Sequence, residues 1–301
     1  MRTLYYTAAA ADEGRAVRTV VPRRFNLGQH AFRRLKILNA ILIGGVPVRA
    51  DRIIHAGETI ELRLPSDMPL TQEAAPHTAP QPDLPASFIR YQDEDILIVS
   101  KGAPLPTLPA SHIATDTLRE QVIALLHADP DTFVYHPVNR LDKGTSGLMC
   151  IARHAHAQRL LTAQLHTGGF IREYLAVTEG VPEQLESTID APIARLGTGA
   201  RRAVREHGQH AVTHYRVEKT SGRRALVRLR LETGRTHQIR VHLSHIGSPI
   251  AGDYLYGTEL DALCGRFALH SAYLSLLHPI TGKRIELSEP LPPALFSLLS
   301  E

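Results

Sequence analysis

The stretch Asn139-Arg140-Leu141-Asp142-Lys143-Gly144-Thr145-Ser146-Gly147-Leu148-Met149 sets a single carboxylate between two cations, then runs through small residues into an apolar segment. Nearby positive charge favours the ionised form of an aspartate. Asp142 is therefore expected as a permanent carboxylate on a rigid turn, suited to act as nucleophile or base, and it is equally readable as half of a structural ion pair. Two histidine sets raise metal chemistry: His207, His210 and His214 spaced H-x2-H-x3-H, and His237, His242 and His245 at near-helical intervals. No H-E-x-x-H accompanies them, and the two cysteines, Cys150 and Cys264, lie far apart, so no metal is expected. The run Gly144-Thr145-Ser146-Gly147 is one residue short of G-x-S-x-G. Residues 279–283 lack the first glycine of a phosphate-binding loop.

Around these residues the chain divides in two. Residues 65–85 carry six prolines with hardly a large apolar side chain, which predicts a semi-rigid linker. It separates a unit of residues 1–64 from a domain of residues 86–301. In the first unit, apolar spacing predicts a helix over 29–43 ended by Gly44-Gly45, a short hairpin through 46–54 and a strand over 59–64. In the second, strands are predicted at 96–99, 171–177, 212–217 and 225–231, and helices at 118–127, 154–165 and 237–246. Strands and helices mix without a steady βαβ rhythm, which predicts an α+β fold.

Composition bounds what remains. The 301 residues have ordinary apolar content and only two cysteines, which excludes disorder and a disulfide-dense secreted module and points to a reducing cytosol. No apolar run suits a membrane span and the first residues show no leader, so a soluble cytoplasmic protein and no membrane partner are expected. The formal charge of +4 conceals an asymmetry: residues 1–64 carry +6, residues 195–240 carry +9, and the remainder is strongly acidic. Concentrated basic segments are what a polyanion partner such as RNA requires.

The central motif resembles the R-L-D-x-x-T-S-G segment of the RluA family of pseudouridine synthases. The resemblance continues in order through Arg172-Glu173-Tyr174-Leu175-Ala176, Gly234-Arg235-Thr236-His237-Gln238-Ile239-Arg240-Val241-His242-Leu243, Gly252-Asp253-Tyr254-Leu255-Tyr256-Gly257, and Leu269-His270 with His278-Pro279. The chain departs from that pattern at Asn139, where histidine is common, and at Gly102, where proline follows the lysine. The basic helix and hairpin of the first unit, closed by His55-Ala56-Gly57-Glu58-Thr59-Ile60-Glu61-Leu62, are similar to a reduced S4-like RNA-binding module.

The resemblance implies a pseudouridine synthase fold, with a mixed, mainly antiparallel central sheet flanked by helices. It implies isomerisation of uridine in RNA with no cofactor and no metal, on ribosomal RNA in preference to tRNA, by a chain expected to be a monomer. Asp142 would be the catalytic carboxylate, attacking the sugar or removing a sugar proton. Tyr174 would stack on uracil, and Arg235 would pair with Asp142, with a phosphate contact as its other reading. Arg140 would fill the stack vacated by the extruded base, Arg172, Arg240 and Leu243 would line the substrate pocket, with Leu243 equally readable as a core leucine, and the basic segment 195–240 would form the phosphate-gripping face. A non-catalytic RNA-binding protein is the alternative, needing only the basic surfaces.

Overall fold

The structure is a computed structural model that describes residues 2–65, 87–109 and 116–300. The expected linker at 65–85 lies almost wholly outside them. The N-terminal unit comprises β1 (Arg2–Thr7), α1 (Val17–Arg24), α2 (Gln29–Ile37), β2 (Ile41–Ile43), β3 (Val46–Pro47) and β4 (Thr59–Leu64). Its sheet has the order β1-β4-β2-β3. The helix expected over 29–43 stops at Ile37, because Asn39 takes a left-handed conformation at φ 51° and the chain re-emerges as a strand. Ile41 and Leu42 are buried, Ile41 within the unit's own apolar cluster, and Gly44-Gly45, both at positive φ, turn a hairpin instead of ending a helix. Strand β1 and helix α1 escape a pattern reading, since α1 carries Pro22 and weak amphipathicity. A separate apolar cluster that includes Val17, Val21, Leu35, Ile54 and Ile60 holds this unit together.

The second domain is built from β5 (Ile89–Gln92), β6 (Ile96–Lys101), α3 (Leu118–Leu125), β7 (His136–Pro137), β8 (Ser146–Ala152), α4 (Ala155–Thr167), β9 (Ile171–Glu179), β10 (Glu186–Asp190), β11 (Ile193–Arg195), β12 (Arg202–Val204), β13 (Val212–Ser221), β14 (Arg224–Leu231), α5 (Gln238–His245), β15 (Leu269–Leu277), β16 (Arg284–Ser288) and α6 (Pro293–Phe296). Its large sheet runs β10-β13-β14-β9-β15-β8-β6-β5, with β16 on β15 and β7 on β8. Every pairing in it is antiparallel except β15 with β8. This is the expected mixed, mainly antiparallel sheet flanked by helices.

The run Ile96-Leu97-Ile98-Val99 is apolar throughout because both faces of the sheet are covered. Leu97 and Val99 join the cluster that takes in Leu118 and Val122 of α3, while Ile96 and Ile98 join the one with Ala157 and Leu161 of α4. His154 caps α4, accepting the Ala157 N–H, and Gly168 ends it at φ 74°. The N-terminal unit touches this domain where Arg2 donates to Asp95 at 3.1 Å, within a cluster in which His154 and His278 also reach the Asp93 and Asp95 carboxylates.

Candidate active site

Between β7 and β8 the chain forms a loop whose main chain is fastened at several points. The Cys150 N–H donates to Asn139 Oδ1 at 2.9 Å, Thr107 Oγ1 donates to the Leu141 carbonyl at 2.7 Å, and the Leu105 N–H donates to the Lys143 carbonyl at 2.9 Å. From beneath, the buried Lys101 amine donates to the Leu105 carbonyl at 2.7 Å and the Lys143 carbonyl at 3.4 Å. Burial pushes the Lys101 amine down to about 7, against the pull of Asp142.

Two glycines make the close packing possible. A Cβ at Gly144 would stand 2.6 Å from the Phe267 ring, and one at Gly147, φ 104°, would stand 2.3 Å from the Ser271 carbonyl oxygen across the parallel β8–β15 pair.

Asp142 emerges from this loop into a cleft of about 800 Å³, with its side chain 28% exposed. Among the described residues, Glu232 is the other carboxylate lining the cleft, but it is exposed and engaged by His214 at 2.6 Å. Arg240 of α5 donates to Asp142 Oδ2 at 3.2 Å. It also donates to both oxygens of Asp253, at 2.7 and 2.8 Å, and Asp253 has no solvent exposure. A two-pronged grip of this kind fixes a guanidinium as a lysine could not. The Phe267 ring lies 4.2 Å from the same guanidinium and the Tyr256 ring 5.0 Å away. Burial works against the charge on Arg240, and the hydrogen bonds and charge of Asp253, with Asp142, more than offset it and raise its pKa.

Strand β9, between β14 and β15, carries Tyr174 and Arg172 on one face, and both line the cleft. Tyr174 is buried, which raises the pKa of its hydroxyl. Arg172 is also buried, with no hydrogen-bond partner for its Nε. A flat ring, a fixed carboxylate and guanidinium donors converging on one cleft can hold a planar polar base and act on the sugar attached to it.

Three sequence expectations change. Arg235 does not pair with Asp142: it lies before α5, exposed, and its Nε donates to the His210 carbonyl at 2.9 Å, while Arg240, five residues on and turned inward, takes the partnership expected of it. Leu243 lies in the hydrophobic core, fully buried, and is not among the cleft residues. The basic segment 195–240 is not one continuous basic face. Antiparallel pairing sets Arg228 against Glu218 and Glu173, and Arg224 against Glu179. Arg201, Arg205, Arg230 and Arg235 stay exposed, and Arg140 and Arg235 stand at the cleft. The histidine sets are dispersed in hydrogen bonds: His242 to Thr213 and Ala191, His214 to Thr188 and Glu232. Asp253 was legible only as part of a motif. Its signal, a lone acidic residue in a Gly-Asp turn, carries no hint of the arginine it holds.

A loop-borne aspartate, a buried arginine that grips it and a tyrosine strand across a shared cleft match a known enzyme class. The sequence profile of RNA pseudouridylate synthases matches residues 95–245, and the chain belongs to this family. The ribosomal large subunit pseudouridine synthase D of Xanthomonas campestris is 39% identical over 276 residues, covering 86% of this chain and 80% of that protein. The protein of the same name from Pseudomonas aeruginosa is 38% identical over 277 residues, covering 86% and 83%. Among solved structures, human RNA pseudouridylate synthase domain containing 4 aligns with a TM-score of 0.56 at 25% identity, over 70% of this chain and 92% of that one. The protein is an RNA pseudouridine synthase, an isomerase. Among the described residues, no helix is long and apolar enough to cross a membrane.

Proposed function

We propose that this enzyme converts uridine to pseudouridine in large-subunit ribosomal RNA in the cytosol, with Asp142 as the carboxylate that starts cleavage of the N-glycosidic bond. The observation that carries this reading is the partly exposed Asp142 held by the buried Arg240–Asp253 pair at one cleft. A protein that only bound RNA would have no use for a carboxylate that faces phosphate in its cleft. The names of the Xanthomonas and Pseudomonas relatives support the ribosomal substrate.

In this reading the target nucleotide leaves its stack, at a cost of a few kcal/mol, and its uracil packs on Tyr174. Arg140 fills the gap left in the RNA. Once the bond to N1 is broken, the detached base turns against Tyr174 and Leu269, which line the cleft, and rejoins the ribose through C5. Buried Arg172 and exposed Arg235 meet the base and the flanking phosphates, respectively. The basic N-terminal unit adds sequence-independent grip on RNA, as an S4-like module would. Pseudouridine mapping in cells with and without the gene tests the substrate: a site lost from large-subunit ribosomal RNA is the expected result, and a site lost only from tRNA overturns it.

A further inference from the structure

His237 stands at the start of α5 in a left-handed conformation, φ 58°, ψ 21°. A non-glycine residue held there signals a constraint imposed by its surroundings. Its ring is 14% exposed and lies at the cleft. Nδ1 is 2.9 Å from the Tyr256 hydroxyl, and that hydroxyl accepts the Arg202 main-chain N–H at 2.9 Å. With its oxygen receiving the Arg202 N–H, the hydroxyl has its own proton for Nδ1. In the tautomer that this arrangement favours, the neutral ring carries its N–H on Nε2. Nε2 lies 3.9 Å from Asp142 Oδ2, the same oxygen that Arg240 grips at 3.2 Å.

We propose that His237 is a positioning residue: its Nε2–H closes on Asp142 Oδ2 when RNA binds, so that Oδ2 is held by two donors and Oδ1 is the oxygen presented to the ribose. This rests on the reading of Asp142 as the catalytic carboxylate. Contacts of this kind are commonly long before substrate arrives and tighten in the complex. The groups facing His237 agree with a neutral ring. Burial lowers its pKa and the positive charges of Arg240 and Arg202 act in the same direction, while Asp142 and Asp253 oppose them. The Tyr256 ring meets it edge-on at 5.7 Å and fixes the plane of the imidazole.

Glutamine and asparagine separate the two ring nitrogens, since the Gln amide reaches the place of Nε2 and the Asn amide only that of Nδ1. The experiment is single-turnover pseudouridine formation on a transcribed large-subunit ribosomal RNA, with the RNA concentration giving half-saturation measured alongside. His237→Gln is expected within about fivefold of wild type, and His237→Asn about a hundredfold slower with half-saturation unchanged within about threefold. The reverse order, or equal rates in both variants, overturns the proposal. Should a His237 variant not fold, Tyr256→Phe removes the hydroxyl that sets the tautomer. A rate lower by about tenfold is then expected, and an unchanged rate overturns the proposal. Asp142→Asn run in parallel keeps the two readings apart: activity there overturns the role of Asp142 itself, whatever His237 does.

Discussion

Arg240 joins two carboxylates of opposite exposure: it holds the fully buried Asp253 through two hydrogen bonds and the cleft-facing Asp142 through one. Asp253 in turn accepts the N–H groups of Leu255 and Tyr256, at 3.0 and 3.2 Å, so the turn 252–257 anchors the guanidinium. Removing Asp253 would strand a buried charge, the costly way to break such a pair. Asp253→Ala is expected to lose about 3–5 kcal/mol in denaturant unfolding and to slow isomerisation about a hundredfold. Arg240→Lys keeps the charge without the fork and is expected to lose most activity with a smaller loss of stability.

A pH signature follows from Lys101. Its amine is held near 7 by burial, far below its ordinary value, so the neutral form is the one the fold favours. Below about pH 7 the amine is charged in both folded and unfolded chains and the whole burial penalty is present. Between about pH 7 and 10 the unfolded chain holds the extra proton and native stability rises, by roughly 1.4 kcal/mol per pH unit. The difference in unfolding free energy between wild type and Lys101→Met, followed across that range, should grow in favour of wild type as pH rises. A difference independent of pH would contradict it.

The two loop glycines should respond differently. At Gly144 an added methyl meets the edge of the Phe267 ring, which can move at the expense of its place beneath Arg240. Gly144→Ala is expected to cost about 1–3 kcal/mol and to reduce activity. At Gly147 the methyl meets main chain at 2.3 Å and the φ of 104° suits only glycine, so Gly147→Ala should be the more destabilising of the two by thermal melting.

Much of this was legible in the sequence. The alternating strands 225–231 and 59–64, the apolar run 96–99 and the helix ended by Gly168 carry local periodicities, and the structure has elements there. Leu38 and Ile41–Ile43 continue the apolar spacing of α2, so a pattern reading overextends the helix. What ends the helix is a left-handed Asn39 and pairing with β4, and that pairing is made by residues distant in sequence. The pairing of Arg235 with Asp142 that the resemblance implies fails for a related reason. Arg235 and Arg240 stand in the same motif, and only the turn into α5 decides which of them points at Asp142. The segment 195–240 read as a single basic face because the glutamates that neutralise Arg224 and Arg228 sit across strand pairings.

The N-terminal unit has its own core and carries Arg18, Arg23, Arg33 and Arg34. If it grips RNA phosphates, deleting residues 1–64 should weaken RNA binding and flatten its dependence on salt, because fewer counterions are released. Filter binding between about 50 and 200 mM salt measures this, and an unchanged slope would assign the unit a structural role instead.

The central claim is that Asp142, aimed by Arg240, carries out the isomerisation. Tritium release from large-subunit ribosomal RNA labelled at uridine C5 tests it directly, since formation of the C5 glycosidic bond expels that hydrogen. Wild type should release tritium in proportion to pseudouridine formed, and Asp142→Asn should release none while still binding the RNA. Release by Asp142→Asn at the wild-type rate would contradict the account.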